Sequence, residues 1–241
     1  MPEKSFSYRL AERIATAVTS WATERTWEGF GHVPAGGCVI VSNHVSHADP
    51  ITLGHALVDH GHVPRFMAKD SLFHVPVFGR IMHNAGQIPV VRQSASAAEA
   101  VQAAVDAVQA GEMLVVYPEG TLTRDPDLWP MRGKTGAARI ALQTGCPVVP
   151  VGQWGPQDLW APFVGAPRLR PDVPVHLRVG PPVDLSGLDS GAKSLVRATD
   201  RIMDAITGIV ADLRGQRAPD KRWNPRVHGQ SETGKLSRGN R

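Results

Sequence analysis

"GCVIVSNHVSHADP", residues 37–50, runs from an unbroken apolar stretch into two histidines and an Asp-Pro pair. Near-continuous Val and Ile without alternation is the pattern of a strand buried on both faces. Asp followed by Pro is a helix-start signal, because Asp caps well and Pro at the first helical position has no N–H to leave unpaired. The chain is therefore expected to leave a strand near Ser42, turn through His44, and enter a helix from Pro50 to about Val58.

The same alternation continues downstream. "PRFMAK" (64–69), "GQIPVVR" (86–92), "EMLVVYP" (112–118), "CPVVPVG" (146–152) and "PVHLRVG" (174–180) read as strands. Between them, helical pieces are expected around 70–84 and helices over 94–111 and 134–145. A closing helix, 192–213, carries Leu195, Ile202, Ile206, Ile209 and Leu213 on one stripe. The fold class is expected to be α/β, a largely parallel central sheet covered by helices on both faces. Ahead of the first strand, residues 5–23 place Phe6, Leu10, Ile14, Val18 and Trp21 on one helical stripe, with Lys4, Arg9 and Arg13 beside it. That is an N-terminal amphipathic helix, either docked on the core or lying in a lipid interface. From Gly215 onward the text is basic, poor in aliphatics and rich in turn formers. The expectation is one domain over 1–214 and a basic, disordered tail over 215–241.

Composition narrows the classes. A chain of 241 residues can bury a full core. Its formal charge of +4 is too small to point to an anionic partner by itself. The two cysteines, Cys38 and Cys146, lie in apolar runs and suit buried thiols better than a disulfide. No apolar run is long enough to span a bilayer and no secretory leader is legible, so any work at a membrane is expected at its surface.

The chemistry starts with His44 and Asp49. Five residues apart on one helix they would point ~140° away from each other, but across a turn Asp49 can fold back toward the imidazole. Two readings stand open at this point: a His–Asp dyad with His44 as general base, or a capping Asp beside a strand-end His. A serine hydrolase would show Gly-x-Ser-x-Gly at a strand–helix elbow, and neither Ser42 nor Ser46 has the glycines. The attacking nucleophile is then expected on the substrate. His44, His47 and Asp49 match no metal spacing, and no metal is expected. A second turn, Pro118-Glu119-Gly120-Thr121, follows another strand, and Lys69, Arg92 and Arg124 fall at or after C-terminal strand ends. Ligands of open α/β sheets bind at that edge, so three cations there suggest a phosphate or carboxylate on the substrate. "MRGKTG" (131–136) lacks the first glycine of a P-loop, whose place is Leu128, which leaves Lys134 as a cation at a helix start able to meet an anion.

Taken together, these blocks resemble the glycerolipid acyltransferase family, the PlsC-type 1-acylglycerol-3-phosphate O-acyltransferases. The family's Asn-His-x-Ser-x-x-Asp motif is matched by Asn43, His44, Ser46 and Asp49, and its Gly-x-Ile-x-Val-x-Arg block by Gly86, Ile88, Val90 and Arg92. Its Phe-Pro-Glu-Gly-Thr-Arg-Ser motif is matched by Tyr117 to Thr123, and a Val-Pro-Val type strand by Val148 to Val151. The family often has Arg after Glu-Gly-Thr; here that place is Leu122, with Arg124 two residues on. The resemblance implies a glycerol-phosphate acyltransferase-like fold and transfer of an acyl chain from acyl-CoA or acyl-carrier protein, with no cofactor, to 1-acylglycerol 3-phosphate (lysophosphatidate) or glycerol 3-phosphate. In that scheme His44 and Asp49 are catalytic, Glu119, Gly120 and Thr121 shape the acceptor pocket, and Lys69, Arg92 and Arg124 hold its phosphate. Backbone N–H groups near Gly120 or after His44 would stabilise the oxyanion. The protein would work peripherally on the cytoplasmic face of an anionic membrane, with no nucleic-acid partner. The alternatives carried beside it are another lipid acceptor, an acyl-thioester hydrolase, and an inactive lipid-binding adaptor of the same fold.

Overall fold

A computed structural model describes residues 6–90, 96–168 and 170–232. Helix α1 (Phe6–Ala22) runs directly into strand β1 (Thr23–Glu28), followed by β2 (Cys38–Ser42), α2 (Asp49–Asp59) and β3 (Pro64–Lys69). Then come α3 (Phe78–Asn84), β4 (Ile88–Val90), α4 (Ser96–Gln109), β5 (Met113–Val116) and α5 (Gly136–Thr144). The chain ends with β6 (Val148–Trp154), the single turn α6 (Pro156–Leu159), β7 (Val173–Val179) and α7 (Ala192–Arg214). One seven-stranded sheet has the order β1-β7-β6-β2-β5-β3-β4. Its five strands from β6 to β4 are mutually parallel, while β7 runs antiparallel to β6 and β1 pairs parallel to β7.

Both faces are covered. Val39, Val41, Leu114, Val116 and Val148 point to a layer of α4, α5 and α7, which contribute Val105, Ile140, Ile202 and Ile206 among others. The alternate residues Cys38, Ile40, Val115, Val149 and Val151 point the other way, against Leu53 and Leu57 of α2 and Ala22 at the end of α1. Because both sides are dry, the central strands have no polar alternation to lose, which is why they read as unbroken apolar runs.

Two expectations are corrected and one left open is narrowed. The sequence allowed the apolar stripe of α1 to dock on the core or to lie in a lipid interface; it does not dock, since Ile14, Val18 and Trp21 are 56%, 42% and 55% exposed, whereas Thr19 and Ala22 are buried. The side chains of Phe6 and Leu10 lie outside the described residues. Asp49 does not cap α2; it is the first helical residue, after Ala48, and its carboxylate turns back on the preceding loop. Nor is the whole stretch after Gly215 a loose tail. Arg222 pairs with Asp200 and Asp204 of α7, the Arg132 N–H donates to the Trp223 carbonyl (2.9 Å), and Ala218 packs on the core. Residues 233–241 of that stretch, and Arg92 at the end of the expected third strand, lie outside the described residues.

Candidate active site

Strand β2 ends at Ser42 at the C-terminal edge of the parallel strands, and Asn43 anchors the loop beyond it. Its side-chain amide donates to the Gln153 carbonyl and accepts the Gln153 N–H, both at 2.9 Å, so the strand end is tied to β6 by a fully buried pair of bonds. His44 comes next. Its Nδ1 lies 2.8 Å from Asp49 Oδ2. The same oxygen accepts the backbone N–H groups of Val45 (2.7 Å) and Ser46 (2.8 Å), which folds residues 44–49 into a tight loop around the carboxylate. A carboxylate accepts only, so Nδ1 carries the proton and the Nε2 lone pair is left for chemistry. The His44 side chain is 17% exposed, and its ring stacks on Tyr117 with centroids 4.2 Å apart.

Asp49 is fully buried, and burial pushes its carboxyl above the usual range; the imidazole and the two backbone N–H groups oppose that shift. Its second oxygen has no hydrogen-bond partner among the described residues, which adds to the cost of keeping it charged. The neighbouring His47 lies against Trp160, with centroids 5.1 Å apart, and the partial loss of solvent there, together with the nearby His44, lowers its pKa. Among the described residues no group of three or more His, Cys, Asp or Glu is placed to hold a metal.

The second turn closes on the first. Gly120, at φ +69, allows the chain after β5 to reverse, with the Gly120 N–H donating to the Tyr117 carbonyl. Glu119 lies wholly inside. Its Oε1 accepts the His44 N–H (2.9 Å) and its Oε2 the Met131 N–H (3.0 Å). Thr123 N–H in turn donates to the His44 carbonyl at 2.7 Å. Glu119 was expected to shape the acceptor pocket; both its oxygens are bonded to backbone, one of them to the His44 peptide. Burial pushes its carboxyl up to about 8.

Four of the N–H groups in the turns where oxyanion donors were expected already have partners. The Val45 and Ser46 N–H groups serve Asp49, the His44 N–H serves Glu119, and the Gly120 N–H serves Tyr117.

Of the expected cations, Lys69 is exposed at the end of β3, two strands along from β2 in the sheet. Arg92 is outside the described residues. Arg124 is 3% exposed, with its guanidinium 5.6 Å from the Phe163 ring centre, and burial lowers its pKa. Leu122, in the place where an arginine was expected, is packed inside. Thr121 is half-buried at the end of the turn. The structure thus gathers His44, Asp49, Tyr117, Glu119 and Gly120, and leaves Lys69 at the margin. Sequence reasoning missed the roles of Asn43, Gln153 and Tyr117. Asn43 stood inside the quoted motif and could have been found there; Gln153 had no signal, because its partner is 110 residues away.

An α/β sheet with a His–Asp pair at its C-terminal edge defines a class of site. Comparison with known proteins defines the family. The model of the Acyltransferase family matches residues 24–154, more than half of the chain. The chain belongs to that family. A chloroplastic 1-acyl-sn-glycerol-3-phosphate acyltransferase of Brassica napus is 34% identical over 131 residues, 53% of this chain but 36% of the relative. The chain thus spans little more than a third of that relative's length. A lyso-ornithine lipid O-acyltransferase of Pseudomonas aeruginosa is 28% identical over 201 residues, covering 78% of this chain and 75% of the relative. Among solved structures, the 1-acyl-sn-glycerophosphate acyltransferase PlsC of Thermotoga maritima superposes with a TM-score of 0.65 at 23% identity, over 91% of this chain and 86% of that one. At that identity the likeness is one of fold.

Proposed function

We propose that the protein is an O-acyltransferase that moves a fatty acyl chain from acyl-CoA or acyl-carrier protein to a hydroxyl of 1-acylglycerol 3-phosphate or glycerol 3-phosphate. The observation that carries this reading is the 2.8 Å contact of His44 Nδ1 with a buried Asp49 at the ligand-binding edge of the sheet. His44 Nε2 takes the proton of the acceptor hydroxyl as that oxygen attacks the thioester carbonyl. The tetrahedral intermediate collapses, the carbon–sulfur bond breaks, and the imidazolium returns the proton to the departing thiolate. Asp49 holds the tautomer and favours the imidazolium, and Glu119 holds the His44 backbone in register. No protein nucleophile is needed.

The acceptor's phosphate would meet Lys69, Arg92 and Arg124. The exposed stripe of α1, with Ile51 at the start of α2 and Leu72, Val75, Val77 and Phe78 around α3, would lie on the cytoplasmic face of an anionic membrane. α1 touches both α2 and α3. No helix of the described residues is long and apolar enough to cross a bilayer.

A second acceptor is favoured by two specific observations. The Pseudomonas relative, named for lyso-ornithine lipid, matches three quarters or more of both chains, and a buried Leu122 stands where the family often has an arginine. Release of free thiol from a long-chain acyl-CoA, measured with lysophosphatidate, glycerol 3-phosphate, lyso-ornithine lipid or no acceptor, separates the readings. Transfer to a glycerol phosphate is expected. Turnover with lyso-ornithine lipid alone would replace that acceptor, acceptor-independent release would make the protein a hydrolase, and no release at all would make it an adaptor.

A further inference from the structure

Lys134 belongs to neither turn of the site, yet it is built onto one of them. Its N–H donates to the Pro118 carbonyl at 2.8 Å, and its side chain lies across Gly120, where a methyl group would sit 3.2 Å from Nζ. Arg132, two residues earlier, is fastened by its N–H to Trp223 of the C-terminal segment. That segment is a folded strap: Trp223 stacks on His228 at 3.5 Å and donates to Gln230, and Arg222 anchors it to α7. It carries Glu232 back to Arg132. One Glu232 oxygen is 3.7 Å from Arg132 and the other is 2.8 Å from Arg226. Arg226, and after it the charges of Lys134 and Arg132, hold the Glu232 carboxyl below its usual range.

We propose that Arg132 and Lys134 form a phosphate-binding site at the rim of the Pro118–Thr121 turn, and that the Glu232 carboxylate of the C-terminal strap occupies it in the unliganded protein. Arg132 and Arg226 both contact the one carboxylate, and the charge of Lys134 acts on it as well, which leaves the cluster net positive. The groups are partly solvated, Arg132 being 53% and Glu232 26% exposed, and such pairs are individually weak and readily exchanged. A phosphate offers more charge and more acceptor oxygens than a carboxylate and displaces it. Neighbouring Gly120 leaves the Lys134 ammonium room beside the turn, where a side chain would crowd it. Which substrate brings the phosphate rests on the acyl-transfer reading: the nucleotide end of an acyl-CoA donor, or the glycerol phosphate of the acceptor.

Calorimetry on the full chain with adenosine 3′,5′-bisphosphate and with glycerol 3-phosphate tests the site without requiring turnover. Glu232→Gln is expected to tighten one of the two probes by about three- to tenfold, the gain from removing one competing charge. Lys134→Gln should weaken the same probe by about tenfold or more and cancel the Glu232→Gln gain in the double variant. Arg132→Gln, whose side chain points outward, carries the same expectation should Lys134→Gln fail to fold. Tightening confined to the bisphosphate assigns the site to the donor, and tightening confined to glycerol 3-phosphate assigns it to the acceptor. Unchanged affinity of both probes in Glu232→Gln overturns the proposal. Absence of acyl transfer with every acceptor would instead sink the acyltransferase reading and leave this result standing.

Discussion

His44 is held from four sides: its ring by Asp49 and Tyr117, its N–H by Glu119, and its carbonyl by Thr123. The two backbone holds do not depend on the imidazole, so His44→Ala should fold. Thioester consumption should fall by about 10²–10⁴-fold, the usual contribution of a placed base. A variant retaining more than about a tenth of the rate would remove His44 from that role. Asp49→Asn separates orientation from loop structure. An asparagine oxygen can still accept the Val45 and Ser46 N–H groups, but it lacks the charge that favours an imidazolium. Turnover should drop by about 10²-fold or more with a small change in melting temperature. Equal activity would mean that Asp49 only shapes the loop. The pairing of these two residues was one of two readings the sequence left open, the other being a capping Asp beside a strand-end His, because the turn before a Pro-started helix offers the carboxylate both partners. The fate of Glu119 was not legible. Its partners are backbone N–H groups of His44 and Met131, which carry no residue-type signal.

At the scale of elements, every strand buried on both faces was readable as an apolar run, and every long helix by its stripe. Strand β1 was missed, because "TERTWE" is polar at most positions and exposed along most of its length, as an edge strand is. The reversed direction of β7 was equally invisible, since an apolar run has no arrow. Helix α1 was recognised, but its stripe faces outward while Thr19 and Ala22 dock, Thr19 lying 2.5 Å from His55 of α2. The two faces can therefore be tested apart. Replacing Ile14, Val18 and Trp21 together by Ser should leave the fold and the turnover of a short-chain soluble substrate intact. Binding to anionic liposomes should weaken by at least about tenfold, given roughly 1.5–3 kcal/mol for each large apolar side chain buried. Unchanged liposome sedimentation would end the membrane reading of this face.

For the whole molecule, the buried carboxyl of Glu119 couples stability to pH. Its folded pKa, pushed to about 8 by burial, lies above the unfolded value near 4.5. The folded protein then holds a proton that the unfolded chain releases. Stability from this group is fully present below the unfolded value and is lost as pH rises through the folded one. Glu119→Gln forfeits one acceptor but never carries the buried charge. The variant should melt below the wild type near pH 5, and the gap should narrow steadily toward about pH 9. A gap that widens with pH would show Glu119 to be ionised throughout and stabilised by its two N–H donors.

The pairing of β1 with β7 sets a schedule. Thr23 is in register with Val173, so a strand begun at residue 23 waits for one begun 150 residues later (173 − 23). At about 5–20 residues per second, that is a delay of roughly 8–30 s on the ribosome. Throughout it α1 has already emerged, with the strand it leads into still unpaired and its outer stripe open to any nearby lipid. If the proposed membrane role holds, the nascent chain meets a bilayer before its sheet is complete, and the last strand made closes a protein that is already docked.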